Sequence, residues 1–300
     1  MQLKDFVTPL PDEQRKTVVV PIASDPDSIR CIARALEKKI ANFILIGEEK
    51  KIRDVAARQG VDISRAVFVA ETDEQKACCK AAELVRDGQA QVLMKGLVQS
   101  SNFISAILRN EYGLIPPGML ISCVAVFEIP AYHKLLLVTD PGVNIKPSFE
   151  SKVRILQNAV ALAVKMGIQC PKVACVSAVE KTTPKMPSTV EAQQLKEMGQ
   201  KGVFGPARVE GPFGFDVAIS SKAAEIKGVT GTVAGDPDII LLPEIIAANV
   251  LYKCLVWLAK ANNASIVVGA KVPIILNSRS DSDEAKFNSV ALAVHMAPEE

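Results

Sequence analysis

Short apolar runs of strand length alternate with amphipathic stretches along the first third of the chain. Thr17–Ala23 (TVVVPIA) is an uninterrupted apolar run, and DSIRCIARALEKKI follows it with helical spacing. Asp27 or Ser28 is placed to cap that helix. The pattern repeats: NFILIG as a strand, a helix near Glu48 to Arg58, AVFVA as a strand, a helix over Asp73 to Arg86, and the strand AQVLMKG. Strands that read as continuous Val- and Ile-rich runs between helices predict a parallel sheet covered on both faces.

The middle of the chain breaks the rhythm. LISCVAVFEI and HKLLLVTDPG are apolar runs separated by PAYH, a connection of hairpin length, which predicts neighbouring antiparallel strands. The alternation then resumes. Helices are expected over Ser151 to Met166, near Ile246 to Ala261 and over Asp283 to Met296. Strands are expected at KVACVSA, DIILLP, ASIVVGA and VPIIL. The predicted class is α/β, with two α/β lobes.

Composition sharpens this in four ways. With 300 residues, 49% of them hydrophobic, the chain can fill two cores that share a cleft. A net charge of +2 and 5% aromatics argue against nucleic acid or a membrane surface as partner. The start MQLKDF lacks a signal-peptide pattern and no apolar run is long enough to span a bilayer. Seven cysteines without a C-x-x-C pair, and only two histidines, make zinc an unsuitable expectation and fit a reducing cytoplasm.

Four stretches could carry chemistry. In NSRSDSDEAKF (Asn277 to Phe287), Ser278 and Arg279 stand at a strand-to-helix turn. Unpaired helical N–H groups, hydroxyls and a planar guanidinium together suit a phosphate. The same residues also match a capping box, Ser280 with Asp283 or Asp281 with Glu284, and a cap would use only some of them. In VLMKGLVQSSNF, Lys95 and Gly96 end a strand where ligands bind in open α/β sheets, and glycine permits a close backbone approach. In VTDPGVNIKPS, Asp140 and Asn144 frame a Pro-Gly turn, and a carboxylate there could order an arginine. In PEIIAANVLYK, Asn249 and Lys253 are four apart and share a helix face. No G-x-G-x-x-G follows a strand, and neither G-x-x-x-x-G-K-[ST] nor G-x-S-x-G occurs.

Taken in order, LMKGLVQSSNF, VAVFEIPAYHKLLLVTDPGVNIKP, ILQNAVALAVKMGI, PKVACVSAVEKTTPKMPSTVEA, VEGPFGFDVAIS, VAGDPDIILLPEIIAANVLYK and VGAKVPIILNSRSDS resemble the phosphate acetyl/butyryltransferase family, and its butyryl branch more closely. The resemblance implies a two-lobed α/β enzyme with an interlobe cleft, similar to isocitrate and isopropylmalate dehydrogenases. It places the C-terminal strand and helix back in the first lobe, giving lobes of 1–140 with 270–300 and of 141–269. It implies acyl transfer between coenzyme A and inorganic phosphate without a cofactor, and a homo-oligomer. Ser278 and Arg279 fall where the acetyl branch binds phosphate and the thioester carbonyl.

Two positions depart from the pattern. The acetyl branch carries a catalytic Asp seven residues after that serine, where this chain has Ala285. The butyryl-type order is met instead by Ser278, Arg279, Asp281 and Ser282, so the expected base moves to Asp281, with Asp283 or Glu284 in reserve, or is supplied elsewhere. Relatives often have an Arg where this chain has Ser105; Arg109, one turn on, could reach the same region. Two other readings compete. A metal- and nicotinamide-dependent hydroxy-acid dehydrogenase would need clustered aspartates, for which DSDE is the only candidate. A non-catalytic binder of coenzyme A or phosphate would account for Ala285 and Ser105.

Overall fold

Buried Val, Ile and Leu side chains fix the strands, and capping residues fix where the helices start. The computed structural model describes residues 1–278 and 281–298. The first stretch forms β1 (Thr17–Pro21), α1 (Pro26–Glu37), β2 (Asn42–Ile46), α2 (Glu49–Gln59), β3 (Val67–Val69), α3 (Glu74–Arg86), β4 (Val92–Met94) and α4 (Ser100–Ile107). Helix α1 buries Ile29, Ile32, Ala33 and Leu36, one stripe at helical spacing. Its cap is Asp25, whose carboxylate accepts from the Ser28 N–H at 2.9 Å. Neither Asp27 nor Ser28 can hold that role, because Pro26 occupies the first helical position.

The central stretch forms β5 (Ser122–Glu128), β6 (Leu136–Thr139), α5 (Phe149–Lys165), β7 (Lys172–Val176), α6 (Pro187–Gln200), β8 (Arg208–Phe213), the short α7 (Phe215–Ile219) and α8 (Ser221–Ile226), β9 (Ile239–Leu241) and α9 (Ile245–Trp257). The chain closes with β10 (Asn262–Val268), β11 (Ile274–Ile275) and α10 (Asp283–Met296). Of these, α6, α7, α8 and β8 have no counterpart in the sequence reading.

Contacts divide the chain into two compact units, Met1–Ile121 with the residues from Asn262 on, and Ser122–Ala261. Both boundaries fall earlier in the chain than residues 140 and 270. The hairpin β5–β6 belongs to the second unit because β6 pairs in parallel with β9. Strand β10 belongs to the first because it pairs with β11 and packs against α10.

In the first unit the strand order is β3-β2-β1-β4-β11-β10. All pairs are parallel except β10 with β11. Phe43, Leu45, Ile46, Leu93 and Phe287 are fully buried in its core. In the second unit the order is β5-β6-β9-β7-β8, and only β5 with β6 is antiparallel. Its core gathers Phe127, Val138, Ala174, Ile240 and Tyr252. Among the described residues, no helix is long and apolar enough to cross a membrane.

Candidate active site

From β1 the chain runs outward to β2 and β3, and it then returns to place β4 on the other side of β1. Such a reversal opens a crevice at the C-terminal ends of the strands. In the first unit that crevice is a cavity of about 190 Å³. Asp25 lines it from the turn after β1, Asp27 and Ser28 from the first turn of α1, Lys95 to Val98 from the turn after β4, and Asn277, Ser278 and Lys286 from the segment after β11 and from α10.

Each side chain is held by local geometry. The Lys95 ammonium donates to the Val98 carbonyl at 2.9 Å and the Gly96 carbonyl at 3.4 Å, so its charge stays over the loop that leads into α4. Asp281 is buried, at 7% exposure, and its Oδ2 accepts the Ser278 N–H at 2.8 Å. Ser282, rather than Asp281, caps α10: its hydroxyl accepts from the Ala285 N–H at 3.1 Å, and Ser280 lies outside the described residues. Lys286 sits one turn into α10. Helical side chains point back towards the N-terminus, and the Lys286 ammonium reaches Asp27 Oδ2 at 3.1 Å. That ammonium holds the Asp27 carboxyl below its usual range; burial works against this and Arg30 adds to it.

A second cluster lies in the other unit. Asp140, 5% exposed, follows β6 and accepts from the backbone N–H groups of Gly142, Val143 and Asn144 at 3.0–3.1 Å and from the Asn144 amide at 2.6 Å. Burial pushes the Asp140 carboxyl up, and these hydrogen bonds offset only part of that. Asn249, on α9, donates its side-chain amide to the Pro141 carbonyl at 2.9 Å and ties the loop to the helix. The Lys253 ammonium, on the next turn, lies 5.1 Å from the Tyr252 ring centre.

The phosphate acetyl/butaryl transferase family model matches residues 67–294. The chain belongs to this family. Membership in the phosphate acetyl/butaryl transferases makes it a transferase, and relatives agree over nearly its whole length. It is 41% identical to a phosphate butyryltransferase of Clostridium beijerinckii, over 98% of this chain and 97% of the relative. A crystal structure of a branched-chain phosphotransacylase from Enterococcus faecalis superposes with a TM-score of 0.83 at 34% identity, covering 93% of this chain and 98% of the other. A 4-hydroxythreonine-4-phosphate dehydrogenase from Burkholderia phymatum shares the fold alone, with a TM-score of 0.52 at 10% identity, covering 95% of this chain and 99% of the other.

Within this phosphate acetyl/butaryl transferase, the structure brings Lys95, Gly96 and Ser278 to one cavity and sets Asp281 directly behind Ser278. Arg279 lies outside the described residues. Arg109 is not part of the cavity lining; it pairs with Glu111 at 3.3 Å. Asp140, Asn144 and Asn249 form one hydrogen-bonded group in the second unit. Among the described residues, the partners of the Asp140 carboxylate come from its own loop. Gly96 meets a close backbone approach, but the approaching backbone is the end of β1: a Cβ there would lie 2.2 Å from the Pro21 carbonyl oxygen. Sequence reasoning assigned no role to Asp25 and Lys286, and read Asp27 and Ser28 only as caps. The signals were present, a second strand-to-helix turn in SDPDS and a lysine one turn after the α10 cap. Among the described residues, no three His, Cys, Asp or Glu side chains gather as a metal site.

Proposed function

We propose that this chain moves a short-chain acyl group, butyryl or similar, between coenzyme A and inorganic phosphate by direct transfer. The observation that carries the reading is the cavity at the strand ends, where Lys95, Lys286 and Ser278 line one small space with Asp25 and Asp27. A phosphate dianion must be held beside an electron-rich thioester carbonyl, and cationic and hydroxyl donors are the groups that can do so. Both reactants are substrates, so the reading needs no cofactor.

A phosphate oxygen attacks the thioester carbon and the carbonyl oxygen gains the negative charge. The tetrahedral intermediate then loses the C–S bond, and the proton carried by phosphate ends on the coenzyme A sulfur. Arg279 and Lys95 hold phosphate, Ser278 donates to the carbonyl oxygen or the leaving sulfur, and Asp281 handles the proton. The hydrogen bond that joins Asp281 to Ser278 supports placing the two in one device. In the second unit we assign Asn144 and Lys253 to substrate, and Asp140 and Asn249 to the loop that presents Asn144. Gly96 shapes the phosphate turn, and Arg109 adds charge from the end of α4.

The reading extends to a cytoplasmic homo-oligomer. Cysteines left as free thiols support a reducing compartment. Along α9, Ile246, Val250 and Trp257 are exposed on one face, and Leu258 follows at 79% exposure. Subunit interfaces cover apolar stripes of this kind.

The test follows thiol release from butyryl-CoA with phosphate, and with arsenate in parallel. Phosphate-dependent release is expected, and Arg279→Ala should abolish it. Stabilisation by coenzyme A without any release would instead mark a binding protein, and a trapped acyl-cysteine would rule out direct transfer.

A further inference from the structure

We propose that Lys286 is a phosphate-binding residue of this cavity, and that Asp27 competes with the substrate for its ammonium. The proposal rests on the acyl-transfer reading and deepens it at the same site.

Lys286 is 4% exposed, yet it lines the cavity. An ammonium carries three N–H donors. Among the described residues it meets only Asp27 Oδ2, at 3.1 Å. A buried charged group with spare donors is costly unless another acceptor arrives. The cavity is where that acceptor can enter, and an oxyanion has the charge and the lone pairs to satisfy it.

Asp27 is built to release its partner. Its other oxygen accepts from Arg30 at 2.5 Å. Arg30 is itself anchored to Asp283 at 2.8 Å and to Gln59 at 2.6 Å. When the Lys286 ammonium turns towards an anion, Asp27 keeps the Arg30 guanidinium and is not left as an isolated charge. The other lysine of the cavity, Lys95, is tied to carbonyls of its own loop. Lys286 is thus the cation whose single carboxylate partner has a substitute.

A structural ion pair and a shared cation predict different signs. If the pair only joins α1 to α10, removing either partner weakens the fold and leaves phosphate affinity alone, or lowers it in both variants. If the ammonium is shared, Lys286→Met and Asp27→Asn act in opposite directions. The experiment measures the KM for phosphate and for butyryl-CoA, together with phosphate-dependent thermal protection, in wild type and both variants. Lys286→Met is expected to raise the phosphate KM by about 10- to 100-fold, the worth of a hydrogen bond to a charged group. The butyryl-CoA KM should stay close to wild type. Asp27→Asn is expected to lower the phosphate KM and to increase protection by phosphate.

Weaker phosphate binding in Asp27→Asn, or an unchanged phosphate KM in Lys286→Met, would overturn the proposal. If Lys286→Met does not fold, the sign of the Asp27→Asn effect still decides. Thermal protection reads phosphate binding without turnover. A wild-type protein that binds phosphate but transfers no acyl group would therefore refute the acyl-transfer reading and leave the assignment of Lys286 standing on its own result.

Discussion

Gly96 separates two demands that a sequence presents as one. A glycine at the end of a strand announces that some backbone comes close, and that much is legible in the order Lys-Gly after VLM. Which backbone comes close is not, because it depends on β1 lying beside β4. The structure supplies the Pro21 and Ile22 carbonyls, at 2.2 and 2.8 Å from where a Cβ would stand. Both are main-chain atoms and cannot swing away as a side chain would. Gly96→Ala is therefore expected to cost roughly 1–3 kcal/mol, the range for overpacking a tight site, and to impair phosphate use by displacing Lys95. Urea unfolding measures the first effect and the phosphate KM the second; wild-type values for both would show that the crossing of β1 and the β4 turn is loose. Lys286 was hard to read for a related reason. Its spacing to the α10 cap is visible in the sequence, but its partner Asp27 comes from a distant helix.

Helix α10 was legible from end to end, Asp283 to Met296, because a polar cluster precedes a long apolar stretch. The capping residue was less so, since Ser280, Asp281 and Ser282 all have suitable side chains. Among the described residues, Ser282 is the one whose hydroxyl accepts from the first turn, while Asp281 turns back to accept the Ser278 N–H. Ser282→Ala should cost about 1 kcal/mol of stability, as loss of a side-chain cap does, and Ser282→Thr should retain most of it. Denaturant midpoints of the two variants check this, and an unaffected alanine variant would contradict the assignment. Strand β8 was missed because VEGPF contains both glycine and proline, residues that strands disfavour. It is the last strand in the order of its sheet, and an edge position tolerates proline. Gly211 is needed there, because a Cβ would lie 2.5 Å from the Cys175 carbonyl oxygen of β7.

At the scale of the whole molecule, the α/β class was legible and the division into units was less so. The parallel pairing of β6 with β9 joins segments far apart in the chain, and periodicity carries no record of it. Acid stability belongs to this scale as well. In the second unit Lys134 and Lys172 gather at Asp236, and the His133 ring N–H donates to its carboxylate at 2.8 Å. Burial alone would raise the Asp236 carboxyl, but Lys172, Lys134 and His133 outweigh it and hold it at about 2, below its ordinary 3.8. A depressed carboxyl stabilises the fold above its ordinary value, and that contribution is lost as pH falls towards 2. The difference in Tm between wild type and Lys172→Met should therefore be largest above pH 4 and shrink on acidification, with the rising sensitivity confined to that window. A difference that stays constant down to pH 2 would mean that Lys172 acts by packing alone. The split first unit also sets an order of events during synthesis. The second unit is one continuous segment and can fold while the ribosome is still adding residues. The first cannot, because β11, the neighbour of β4, and α10, the carrier of Lys286, are made only after the second unit. Until then β4 has an unpaired edge, open to pairing with another nascent chain, and the cavity at the strand ends does not exist. A ribosome that stalls after residue 261 leaves a chain without β11 and α10, and so without one wall of that cavity.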